Sequence, residues 1–218
     1  MAKSIASQSP ALLILASRTS SKMEAVANTI KGQYPNINIR TILLDLMSQE
    51  SCKQAAKDVS DITSTLNIII NNAGIMSPKK LYTKEKIEGQ FGANHIGHFL
   101  STNLLLEQLR NAAKTNPSGA TRVVNLTSLA YRLSPIRFHD YSFEGNEIPD
   151  DEKPPSNLPP AFSKTVDGVY NGYISYGQAK TANLLYSVAL TEKLKGEGIV
   201  SYAVHPGCKC LVCELISA

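Results

Sequence analysis

The chain has 218 residues, enough for one domain with a sizeable buried core. Its 43% hydrophobic and 18% charged content excludes disordered and fibrous classes. The net charge of +4 is scattered, with no basic run or basic-aromatic stripe, so no nucleic-acid partner is expected.

No apolar run approaches the roughly 20 residues that span a bilayer, so no transmembrane segment is expected. Residues 11–16 are too short for a signal peptide and lead into Ser17-Arg18 rather than a cleavage site. Cys208, Cys210 and Cys213 crowd the end of the chain while Cys52 stands alone. That spacing is no disulfide framework and points to a reducing, cytoplasmic setting. Three close thiols also lack the fourth ligand of a zinc site, and no metal is expected.

In chain order, the apolar, β-rich runs 11–16, 37–44, 66–70, 121–126 and 199–204 read as strands. Several are apolar on consecutive positions, as in a sheet covered on both faces. Between them, residues 20–31, 48–63, 84–114 and 175–195 carry helical periodicity, and the last steps through Ala179, Ala182, Tyr186, Leu190 and Leu194 along one face. This alternation predicts a single α/β domain over residues 1–218 with a parallel sheet. Residues 132–172 break the rhythm: their prolines predict an inserted loop without regular helix or sheet, either functional or merely a surface excursion.

Four features carry chemistry. Asn71-Asn72-Ala73-Gly74 directly follows a strand, where small residues let a ligand approach the backbone or simply make a turn. Asn94 interrupts an apolar helix, a poor place for Asn unless a kink or water partners it. Ser128 ends a strand, either to bond a substrate oxygen or to cap the next turn. Tyr176-Gly-Gln-Ala-Lys180 puts a phenol and an ammonium on one helix face, where the cation favours the phenolate. A second Tyr-x-x-x-Lys, from Tyr82 to Lys86, lies in a polar stretch away from any strand end and is discounted.

The order of these motifs, closed by His205-Pro206-Gly207 after a strand, resembles the short-chain dehydrogenase/reductase family over residues 2–207. Phe91-Gly-Ala-Asn-His-Ile-Gly-His-Phe99 and Tyr202-Ala-Val-His-Pro-Gly207 are similar to the retinol-dehydrogenase-like and WW-domain-oxidoreductase-like branch and its fungal relatives. The resemblance implies a Rossmann-type doubly wound sheet and an alcohol dehydrogenase or carbonyl reductase acting on a small or lipid-like molecule, possible also as a homo-oligomer. By position, Tyr176 would be the acid-base residue, Lys180 its activator and a ribose ligand, Ser128 the polariser of the substrate oxygen, and Asn94 the holder of a relay water. Asn72, Ala73, Gly74, Pro206 and Gly207 would line the cofactor. Asp45 and Leu46 would meet the adenine, unless Asp45 is a helix N-cap. Arg18, where NAD-dependent relatives carry an acid, would grip the 2′-phosphate of NADP, unless it is a solvated surface residue; NADP is therefore expected before NAD.

The family's opening strand and Thr-Gly-x-x-x-Gly-x-Gly loop have no counterpart in these residues, and residues 1–9 read as the back half of the helix after that loop. The sheet is expected to lack that first strand and the family's last one. Two interior strand edges would then have no partner. A catalytically inactive remnant acting as a binding module is the alternative expectation.

Overall fold

A computed structural model describes residues 1–166 and 168–207. Its strands are β1 (Leu13–Ser17), β2 (Ile39–Leu43), β3 (Ile68–Asn71), β4 (Thr121–Leu126) and β5 (Ile199–Val204). The helices among the described residues are α1 (Ala2–Ala6), α2 (Ser20–Gln33), α3 (Gln49–Ile62), α4 (Gly89–Phe91), α5 (Gly97–Leu104), α6 (Leu106–Ala113), α7 (Pro160–Ser163) and α8 (Gly172–Leu194). Every ladder is parallel, with helices between successive strands, which is the α/β, Rossmann-type architecture expected.

Local chemistry explains the element ends. Ser48, not Asp45, caps α3 by accepting from the Ser51 N–H at 3.3 Å, while Asp45 Oδ1 takes the Met47 N–H. The helix read over 84–114 begins only at Gly89. Lys86 takes a φ of +66°, and the Glu88 carboxylate accepts from the Gln90 and Phe91 N–H groups. That helix is further broken by a π-helical turn at Gly92–Ile96 and by a kink at Leu105. The helix read from 175 starts earlier, at Gly172, because the Asn171 side chain caps it. The proline-rich loop is more ordered than composition implied. It holds a 3-10 turn at Asp150–Glu152 and the four-residue α7, whose Pro160 sits in the first turn, where a missing N–H is harmless. Cys208, Cys210 and Cys213, and the expected absence of a last strand, lie outside the described residues.

Two of the five apolar clusters among the described residues bear on how the sheets are held. Leu109, Val123, Tyr186, Leu190, Leu194 and Ile199 join α6, β4, α8 and β5. Deleting such fully buried side chains to Ala typically costs about 2–5 kcal/mol. Ile42, Ala55, Ala56, Val59 and Leu105, with Ile14, Leu66 and Ile69 against them, tie β1 and β2 to β3 through α3 and the kink residue Leu105.

The ladder nevertheless falls into two sheets, β1-β2 and β3-β4-β5. In β1 the Leu13 N–H and the Ser17 carbonyl bond toward β2. Backbone groups alternate in direction along a strand, so those of Ile14 and Ala16 point the other way. In β3 the Asn67 carbonyl accepts from Arg122, so Ile68 and Ile70 likewise turn theirs away from β4. All four residues line a cleft of about 370 Å³ between the two sheets. Because the cleft is open, water can pair these edges, which spares much of the 1–3 kcal/mol that each dry orphan would cost. Amide hydrogen exchange checks this arrangement. The Ile14, Ala16, Ile68 and Ile70 amides should exchange about two orders of magnitude faster than those of Val123 and Val124 in the central strand β4. Equal protection would mean that the two edges are paired.

Candidate active site

The site is assembled where β4 runs out against α8. Lys180 is 4% exposed, and its Nζ donates to the Leu126 carbonyl at 2.8 Å. Asn183 Nδ2, one turn along α8, donates to the same carbonyl at 3.2 Å, and Thr127 Oγ1 donates to the Lys180 carbonyl at 2.9 Å. Burial lowers the Lys180 pKa to about 8, since leaving water penalises the ammonium. That Nζ lies 5.4 Å from the centre of the half-buried Tyr176 ring, so the helical spacing read from the sequence does bring the two together.

Ser128 reaches the same helix through its turn. Its Oγ accepts from the Ala130 N–H at 3.2 Å, opening a 3-10 turn at Leu129–Leu133. Capping occupies a lone pair and leaves the hydroxyl proton to donate elsewhere. The turn lies flat on α8: a Cβ on Gly177 would stand 2.7 Å from the Ala130 carbonyl oxygen, so the residue beside Tyr176 has to be small. Thr181 Oγ1, within reach of the Tyr131 carbonyl at 3.0 Å and the Ser134 carbonyl at 2.6 Å, fastens the same contact.

Asn94 is fully buried within the π-helical turn. Its partner is the main chain of Ile75. Nδ2 donates to the Ile75 carbonyl at 2.8 Å, and Oδ1 accepts from the Ile75 N–H at 2.7 Å. One carboxamide proton and one lone pair remain. A kink accommodates this Asn, as one of the two sequence alternatives allowed. Gly74 joins these pieces: a Cβ there would be 3.1 Å from Asn94 Oδ1 and 3.9 Å from Lys180 Nζ.

Arg18, Asp45, Leu46, Asn72, Ala73 and Gly74 all line the cleft between the sheets, at the carboxyl ends of β1, β2 and β3. Ligands bind at such strand ends in open α/β sheets. Arg18, Asn72, Ala73 and Gly74 are exposed there. Ser128, Tyr176 and Lys180 lie outside that lining, with Gly74 as the joint between cleft and helix. Pro206 and Gly207 follow β5, exposed and not among the residues that line the cleft, with Gly207 at a φ of +86°. Tyr82 is elsewhere, 45% exposed, its hydroxyl donating to Glu144 at 3.3 Å.

Sequence reading missed the bond that His98 makes and a buried polar belt. Asn71 Nδ2 donates to Thr102 Oγ1 and to Asn125 Oδ1, and Asn125 Nδ2 donates to Ser187 and Ser201. His98 Nε2 bonds the Ala73 carbonyl at 2.7 Å and so steadies the turn that lines the cleft. The only available signal was polar residues inside apolar elements, and that does not say what they bond.

A parallel α/β sheet with small-residue turns at its strand ends, beside a Tyr-x-x-x-Lys helix whose lysine is buried, defines a Rossmann-type α/β domain. The profile of the short chain dehydrogenase family matches residues 1–142, and the chain belongs to that family. It is 33% identical over 209 residues to oxidoreductase fscI of Fusarium equiseti, covering 95% of this chain and 80% of that protein. It is 35% identical over 195 residues to human retinol dehydrogenase 13, covering 89% of this chain but only 50% of that one. The chain therefore spans about half the length of such retinol dehydrogenases. Among solved structures, an uncharacterized protein from Mycobacterium paratuberculosis is similar at 29% identity and a TM-score of 0.65, over 90% of this chain and 59% of that one. The NADPH-bound carbonyl reductase from chicken fatty liver shares the fold at 21% identity and a TM-score of 0.61, over 91% of this chain and 69% of that one.

Burial pushes the His98 pKa down to about 4, because the imidazolium would be desolvated. The folded state therefore binds the His98 proton less readily than the unfolded state, whose pKa is near 6.5. The stability this provides is complete above about 6.5 and is lost as pH falls toward 4, on the order of 3 kcal/mol in total. His95, lowered in the same direction by burial, adds to the loss. Urea midpoints from pH 7 to 4 should fall less steeply for His98→Gln than for the parent chain, once the variant's constant offset is removed.

Proposed function

We propose that the chain carries the site of an NADP-dependent alcohol dehydrogenase or carbonyl reductase, interconverting a small or lipid-like alcohol and its carbonyl. The buried Lys180 beside the Tyr176 ring, with Gly74 and Asn94 converging on it, is the observation that supports this reading most. Tyr176 gives its proton to the substrate oxygen during reduction and takes one back during oxidation. Lys180 favours the phenolate form of Tyr176 by its charge. The hydroxyl proton of Ser128 points the substrate oxygen toward the phenol and polarises it. Asn94 uses its spare carboxamide proton and lone pair to hold a relay water.

The residues around the cleft fit a dinucleotide at two places. Arg18, with no acid among residues 16–19, suits the 2′-phosphate of NADP rather than the bare ribose of NAD. Asp45 and Leu46 suit the adenine, and Asn72 to Gly74, Pro206, Gly207 and Lys180 the nicotinamide half. When bound, the cofactor supplies the hydride. A second reading, a binding module without turnover, is favoured by one observation: Ser128, Tyr176 and Lys180 lie outside the residues that line the cleft.

No helix among the described residues is long and apolar enough to cross a membrane. A cytoplasmic setting is part of the proposal, as is self-association through the exposed apolar side chains Phe99, Leu185 and Val188 on α5 and α8.

The experiment follows NADPH oxidation with a panel of aldehydes and ketones, and NADPH affinity by tyrosine fluorescence. Tyr176→Phe should lower turnover about 10²–10⁴-fold with affinity little changed. Arg18→Ala should weaken NADPH at least about tenfold more than NADH. Lys180 is protonated below about 8, so carbonyl reduction should decline as pH rises through that value. Binding without turnover in the parent chain would support the second reading.

A further inference from the structure

A buried polar clasp stands between the turn after β3 and the first turn of α8, and the chemistry proposed above does not use it. Its centre is Gln90, fully buried in α4. Gln90 Oε1 accepts from the Ser77 N–H at 3.2 Å, and its Nε2 lies 3.2 Å from the Ser77 carbonyl. The same Nε2 lies 2.8 Å from the Gly172 carbonyl and 2.9 Å from the Tyr170 hydroxyl. Two protons are thus shared among three acceptors. Tyr170 passes its own proton to Glu88 Oε1 at 3.0 Å, and Glu88, also fully buried, caps the helix that carries Gln90. Burial and the Glu88 charge push the Tyr170 pKa up to about 12, so it stays a donor.

Gln90 and Asn94 are four residues apart, about one helical turn, while their targets Ser77 and Ile75 are two apart in the segment after β3. Each carboxamide bonds both the N–H and the carbonyl of its target residue, as a neighbouring strand would. The helix thereby reads two positions of that segment. Gly172 closes the junction: a Cβ there would collide with the Ser77 carbonyl. In α8 the Gly172 carbonyl also accepts the N–H four residues on, which is that of Tyr176.

We propose that Gln90, held by Glu88 and Tyr170, is a positioning residue. It fixes the β3 turn and the first turn of α8 to one helix, and so sets where Tyr176 stands relative to Asn94 and Lys180. The inference rests on the reading of Tyr176 as the acid-base residue, and a displacement of about 1 Å at such a group can cost up to about 10²-fold in rate.

The test compares the full chain with Gln90→Met, which keeps length but no hydrogen bond, and with Tyr170→Phe, which keeps the ring packed against Phe143. Tyr170→Phe covers the case in which Gln90→Met does not fold. Amide hydrogen exchange at Ser77 and Tyr176 is read together with kcat and KM for carbonyl reduction. In Gln90→Met both amides should lose at least about tenfold in protection, with kcat down about ten- to a hundredfold and KM within about threefold. Tyr170→Phe should shift the same quantities by less. Unchanged protection of both amides overturns the clasp, with or without turnover. Lost protection with kcat retained overturns its positioning role. If Tyr176→Phe keeps its turnover, the catalytic reading fails instead, and the exchange data still decide the clasp.

Discussion

An ammonium taken out of water has to be met by an acceptor, and the rest of the site is arranged around that requirement. Lys180 Nζ meets it with the carbonyl of Leu126, the last residue of β4. Asn183 takes the same oxygen, and Thr127 bonds back to the Lys180 carbonyl, so the helix is fastened to the strand end by three hydrogen bonds within one turn. The turn after β3 is then brought close through Gly74, where a side chain would press on Asn94. Desolvation keeps the lysine only weakly basic, with a pKa of about 8, so its charge at neutral pH is retained by a modest margin.

Polar groups also hold the three-stranded half of the sheet in place. Asn125 in β4 bonds Asn71 in β3, Ser187 in α8 and Ser201 in β5. Slipping a strand by one residue would turn these side chains to the opposite face and leave them unpaired, so the belt fixes register as well as contact. The β1-β2 half has a different physics. It is joined to the rest by apolar side chains of α3 and by Leu105 rather than by a ladder, and that join leaves the open cleft that Arg18, Asp45 and Asn72 line.

Much of this was legible without coordinates. The runs at 121–126 and 199–204 coincide with β4 and β5, since consecutive β-branched and apolar residues have few other uses in a chain of this length. The likeness to short chain dehydrogenases rested on motif order, and motif order survives in sequence. Boundaries were less legible where side chains decide them. The Glu88 carboxylate and the left-handed Lys86 set a helix start that periodicity placed several residues early. Asp45 was weighed as a cap, and the neighbouring Ser48 does that work.

The sequence by itself determined the alternation of strand and helix, the parallel sheet and the phenol-lysine pair, because each depends on spacing within a few turns of chain. Tertiary structure alone decided that Asn94 bonds Ile75, that His98 steadies Ala73, and that Gln90 joins Ser77 to Gly172. These contacts join residues 13 to 82 positions apart. A hydrogen bond at that separation is set by where helices come to rest on a sheet. Periodicity reports which face of an element is buried and carries no term for what that face will meet.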